Sequence, residues 1–211
     1  VDKIDFRKRD RALYQPPTGK FVRVDVPPLP YVMVDGRGDP NTAPAYLQDV
    51  QWLYSVSYAL KFALKAMGQD YVVPPLEALW SAEDPSSFVA RHKDEWRWTV
   101  MIRTPNGISP EQLEAAIANA AKKLGEVPAS LRHEILEEGL CLQTLHVGAY
   151  DDEGPILAHL HGELMPALGY TFAGPYHEIY LSDPRRTGAA RLKTVLRQSV
   201  RPIEPDEESC T

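Results

Sequence analysis

The run Tyr176-His177-Glu178-Ile179-Tyr180-Leu181-Ser182-Asp183 sets one carboxylate between two phenols. Read as a strand, its side chains alternate, so Tyr176, Glu178, Tyr180 and Ser182 share one face while His177, Ile179 and Leu181 take the other. An ionised carboxylate is costly to bury without a partner, so Glu178 points to water or into a polar-lined cavity. In an aromatic cavity such a group can take a proton from water or balance the charge of a bound cation. The plain alternative is a solvated or salt-bridged strand residue partnered by Arg185 or Arg197.

Other constellations are weaker. His159 and His161 are two apart on a helical stretch and face different directions, so with Glu163 they make no metal site. Gly36-Arg37-Gly38 lacks the further glycine and the parallel context of a phosphate loop, and no nucleophile elbow focuses the serines. No cofactor is called for.

The elements that must position Glu178 follow from pattern. Tyr31–Asp35 reads as a short strand before a turn-rich segment, Asp35–Asn41. Leu47, Val50, Leu53, Leu60, Leu64 and Met67 recur at helical spacing, predicting one long helix from Pro44 that stops at Gly68. Tyr54 and Tyr58 lie one turn apart and stack on one face. Leu76–Trp80 and Trp96–Arg103 read as an antiparallel pair, the second alternating strictly through Trp96, Trp98, Val100 and Ile102. Ser109-Pro110-Glu111-Gln112 is a capping-box start for a helix ending at Gly125. Leu131–Glu137 and Cys141–Val147 are strand-like, and a helix follows whose last turns Pro166 should kink or shorten. Arg191–Gln198 fits strand or helix.

The order strand, acidic glycine-containing turn, helix, strand, strand thus occurs twice, if that last segment is a strand. By letters, Leu76-Glu77-Ala78-Leu79-Trp80-Ser81 aligns with His177-Glu178-Ile179-Tyr180-Leu181-Ser182, which would make Glu77 the counterpart of Glu178. The expected fold is α+β: duplicated strand-helix-strand-strand modules with pseudo-twofold symmetry, an antiparallel sheet and a central ligand groove. The expected division is an arm over 1–20, one domain over 21–202 with halves 21–125 and 126–202, and a flexible acidic tail over 203–211.

Bulk properties narrow the partners. The hydrophobic fraction of 44% supports a real core, and the net charge of −6 argues against nucleic-acid binding. The cluster Arg7-Lys8-Arg9-Asp10-Arg11 is short and interrupted, and reads as a solvated arm. No apolar run approaches the roughly 20 residues of a membrane span, and Val1–Asp5 lacks the apolar core of a secretory signal. Cys141 and Cys210 make no disulfide framework, so a reducing cytoplasm is the expected home, with the chain a monomer.

Several motifs together carry a resemblance. Leu140–Glu153, His177–Arg185 and Leu192–Arg197, with Pro75–Trp80 and the Tyr-rich helix Leu53–Lys61, are similar to the GyrI-like small-molecule-binding family. They most resemble its stand-alone branch, some of whose members hydrolyse cyclopropane-bearing, DNA-alkylating natural products. The resemblance spans roughly residues 20–200. It implies the duplicated fold with Leu192–Gln198 as a strand, and residues 1–20 are too short for the DNA-binding domain that the family's transcription factors carry. It implies that Glu178 is the central cavity glutamate and catalytic base. The branch's second catalytic carboxylate falls on Glu153, for which an acidic first-turn residue is the plain alternative. Tyr54, Tyr58, Trp80, Trp98, Tyr150 and Tyr180 become aromatic walls for a hydrophobic aromatic small molecule, although for any single tryptophan a place in the core is the simpler reading. The implied reaction is detoxification by adding water to an electrophilic cyclopropane. The alternative is a drug-binding or sequestering module without turnover.

Overall fold

The computed structural model describes residues 3–83 and 92–204. Eight strands form one antiparallel sheet: β1 Val22–Val26, β2 Leu29–Arg37, β3 Leu76–Ser81, β4 Arg97–Arg103, β5 Arg132–Leu136, β6 Gly139–Val147, β7 Tyr170–Tyr180 and β8 Lys193–Pro202. Their order is β1-β6-β8-β7-β3-β4-β2-β5, which is unchanged when the halves are exchanged. β3 and β7 meet at the centre, and each edge strand pairs with the other half, β1 on β6 and β5 on β2. The duplication read in the sequence is therefore the symmetry of the sheet, and the segment left open after Arg191 is its strand β8.

The registers correct the letter alignment. Ala78 pairs with Glu178 and Glu77 with Ile179. Neighbours on a strand point to opposite faces, so this one-residue difference sends Glu77 to the face away from Glu178. Glu77 is no echo of Glu178.

Helices cover one face. α3 Pro44–Ala66 starts on a proline at its first turn, and Gly68 lies just past its end at φ 83°. α4 Pro110–Leu124 carries both hydrogen bonds of the Ser109/Gln112 capping box and stops at Gly125. Beneath them Val32, Val34, Trp52, Leu53, Val56, Leu60, Val100 and Ile102 form the main core. In the second half the helical stretch is broken, as Pro166 led us to expect. A 3₁₀ turn Tyr150–Glu153 leads into α5 Gly154–His159, a π turn Leu160–Leu164 and α6 Met165–Ala167.

The opposite face is closed by the N-terminal arm. The arm packs instead of being solvated: α1 Phe6–Arg9 and α2 Arg11–Tyr14 bury Phe6, Leu13 and Tyr14 against Tyr31, Met33, Met101, Ile179 and Val195. Its basic residues Arg7, Lys8, Arg9 and Arg11 stay exposed, while Asp10 pairs with Arg9 and with Arg103 of β4 at 2.8 Å. No helix among the described residues is long and apolar enough to cross a membrane. Cys141 is a buried free thiol, pushed up to about 12 by burial and by Glu138. Cys210 and the acidic tail from residue 205 lie outside the described residues.

Candidate functional site

Glu178 sits on the helix-covered face of β7, 8% exposed. A β-bulge between Phe172 and Tyr176, where Pro175 has no N–H to give the ladder, resets the register just before it. Regular pairing then runs from Tyr176 to Tyr180 and fixes which way Glu178 points. The Tyr180 hydroxyl donates to its Oε2 at 2.5 Å, and the Trp80 indole N–H donates to the same oxygen at 3.2 Å and to the Tyr180 oxygen at 3.1 Å. These three groups form a triangle across the dyad, since Trp80 belongs to β3 and the others to β7. Oε1 of Glu178 accepts no hydrogen bond among the described residues. Neither Arg185 nor Arg197 partners this carboxylate. Arg185 pairs with Asp183 at 3.0 Å, and Arg197 lies on the other face.

An aromatic layer surrounds the triangle. Tyr46 of α3 lies over Trp80, stacked at 6.1 Å, and meets Trp98 edge-on at 5.2 Å. Trp96 meets Trp80 edge-on at 5.4 Å. From the other half Tyr150 packs edge-on against Tyr180 at 5.6 Å. Burial and then the charge of Glu178 push the phenols of Tyr46 and Tyr180 far above their ordinary range. The same causes, joined by Glu153, push Tyr150 up to about 12. All three are neutral hydroxyls able to donate near neutral pH. Glu153 ends the 3₁₀ turn, is 1% exposed, and its charge, like that of Glu178, acts on both Tyr150 and Tyr180.

Trp80, Tyr150 and Tyr180 are thus brought to Glu178. Trp98 is fully buried behind them, its indole N–H donating to Asp49 at 3.1 Å. Its ring takes the space opposite Gly36, where a Cβ would come within 2.3 Å of it. Tyr54 is half-buried and close enough to act on the Tyr46 phenol. Tyr58 is 45% exposed, further out on α3 between Tyr54 and Phe62, and lines a shallow groove with Ala120 and Lys123 of α4. It is not part of the layer around Glu178. Tyr46 escaped the sequence reading, although it stands eight residues before Tyr54 and so on the same helical stripe. Among the described residues no group of three or more His, Cys, Asp or Glu could hold a metal ion. His159 instead contacts Glu163 at 3.2 Å, and His161 packs on Phe172.

A sheet duplicated about a dyad, with helices on one face over an aromatic-walled carboxylate, is the architecture of a small-molecule-binding protein. The chain belongs to the GyrI-like family: the family model of the GyrI-like small molecule binding domain matches residues 20–198. Among solved structures it resembles an uncharacterized conserved protein from Listeria innocua at 35% identity and a TM-score of 0.85, covering 94% of this chain and 100% of that one. Another from the same organism, described as a hydrolase, is 34% identical with a TM-score of 0.83, over 95% of this chain and 100% of its own. The C-terminal domain of EcmrR shares the fold alone, at 9% identity and a TM-score of 0.54 over 87% of this chain and 98% of that one. No curated protein matches the chain.

Proposed function

We propose that this protein binds a flat, apolar small molecule against Trp80, Tyr46, Tyr150 and Tyr180 and opens an electrophilic cyclopropane in it by adding water, so removing a DNA-alkylating compound. The observation that carries this reading is the division of labour on Glu178. Two donors hold Oε2, while Oε1 accepts none among the described residues and is left to receive a proton. In the step we envisage, the water oxygen bonds to a ring carbon as that carbon's bond within the ring breaks. The released electron pair moves into the conjugated carbonyl, and Oε1 takes the water's proton before passing it to the oxyanion. The product is the substrate plus one water. Such general-base help is worth roughly 10²–10⁴ in rate. Tyr150, neutral at working pH, donates to the carbonyl oxygen as charge gathers there. Glu153 orients the water or shares its proton. A related structure described as a hydrolase supports a reaction of this type.

One observation favours a second reading. A carboxylate fixed by two donors is also a good counter-charge, so a cationic aromatic molecule could be held there without turnover. Incubation with a spirocyclopropane alkylator followed by mass spectrometry separates the two. A gain of one water supports hydrolysis; tight binding of a ligand whose mass never changes supports sequestration.

A further inference from the structure

On the face of the sheet away from Glu178, four charged side chains are sealed in a single cluster. The imidazole of His177 lies between two carboxylates, Nε2 at 2.9 Å from Glu77 and Nδ1 at 2.9 Å from Glu138. Two ring nitrogens can both bond carboxylates only by both donating, which makes His177 an imidazolium. Glu138 also accepts from Arg197 at 3.2 Å. Glu77 and His177 are 0% exposed and Arg197 is 1% exposed. The hydroxyls of Tyr14 and Tyr31 lie 3.4 and 3.2 Å from Glu77. Arg197 further donates to Gln143 at 3.1 Å and to the Leu13 carbonyl at 2.7 Å. The two cations and two carboxylates balance.

We propose that this cluster is the positioning element of the Glu178 site: by joining Glu77 of β3 to His177 of β7 across the dyad, it fixes the register in which Trp80 and Glu178 meet on the other face. The proposal rests on Glu178 being the functional carboxylate, as argued above, but not on the reaction. The cluster adds to what the backbone ladder and the buried apolar faces already specify. Between β3 and β7 on the helix-covered face, Trp80 makes polar contacts with Glu178 and Tyr180. A one-residue slip there would turn Glu178 away from Trp80 altogether. The Glu77–His177 bond forbids that slip, because a slipped strand would leave a charge buried without its partner. His177 is also the residue directly before Glu178, so a shift of its backbone is a shift of the site. The charged and titratable groups around the imidazole are Glu77 from β3, Glu138 from the turn between β5 and β6, Arg197 from β8, Tyr31 from β2, Tyr14 from α2 and Cys141 from β6. Arg103 of β4 and Asp10 stand behind Tyr14.

The test reads Trp80 directly. The whole protein is labelled with 5-fluorotryptophan, its four fluorine resonances are recorded, and that of Trp80 is assigned through Trp80→Phe. In His177→Gln the Trp80 resonance should leave its wild-type position while the protein still unfolds cooperatively. Any turnover should fall roughly 10²-fold, the effect of a misplacement near 1 Å. A Trp80 resonance unchanged in a folded His177→Gln protein overturns the proposal, whether or not the protein is a hydrolase. Should the variant fail to fold, the wild type is titrated instead. Loss of the imidazolium proton near pH 9 should move the Trp80 signal, and a signal constant through that range overturns the proposal.

Discussion

Because His177 is held as a cation between two carboxylates inside the sheet, the protein should lose stability as the pH is raised. Burial opposes the charge, but Glu138 and Glu77 outweigh it and hold the imidazole up to about 9, against 6.5 for a free histidine. A folded-state pKa above the unfolded one contributes stability that is fully present below 6.5 and is lost as pH rises through 9. The size, from the gap between those two values, is about 3 kcal/mol. Glu138, held down to about 2 by His177 and Arg197 despite its burial, is the same contact seen from its other end, so the two are not added. It places the acid limit: its contribution is present above 4.5 and is lost as pH falls through 2. The assay is urea unfolding of wild type and His177→Gln at intervals from pH 6 to 10. Wild type should be the more stable by a margin that narrows by about 3 kcal/mol across that range, titrations distant from the cluster cancelling between the two proteins. A margin that stays constant with pH would show that His177 is not a buried cation.

Three further perturbations follow from the site. Gly36→Ala drives a methyl into the Trp98 ring; overpacking of this kind costs about 1–3 kcal/mol, and thermal unfolding should show it together with a changed tryptophan emission. Tyr46→Ala removes the ring stacked on Trp80 and should weaken binding of a flat aromatic probe by roughly tenfold, about 1.4 kcal/mol, in a fluorescence titration. Tyr58→Ala, at an exposed position outside the layer around Glu178, should leave that affinity unchanged and stability within about 0.5 kcal/mol.

Much of the architecture was legible because it is written in local signals. The capping box at Ser109, the strict alternation of Trp96–Ile102 and the repeated order of elements each depend on neighbours within one element. Glu178 was legible for the same reason, an acid on a strand whose faces can be counted, whereas Trp80 came from the family resemblance alone, since the letter alignment sets it on the other face from Glu178. What failed depended on contacts between elements distant in sequence. Matching letters gave Glu77 to the wrong face because similar residues need not occupy equivalent ladder positions, and only the β3–β7 register distinguishes them. His177 read as a member of an apolar face because its partners come from distant elements, Glu77 from β3 and Glu138 from a hairpin turn. The arm read as solvated because its charge is conspicuous, while Phe6, Leu13 and Tyr14 at irregular spacing give no clear period.

In the proposed reaction Glu178 acts on water and does not merely hold the ligand. Single-turnover rates with a spirocyclopropane substrate, measured beside the dissociation constant for wild type and Glu178→Gln, decide between these roles. We expect the variant to keep its affinity and to lose roughly 10²–10⁴ in the rate of water addition. A variant that hydrolyses at the wild-type rate, or a wild type that binds tightly and never changes the ligand's mass, would contradict it.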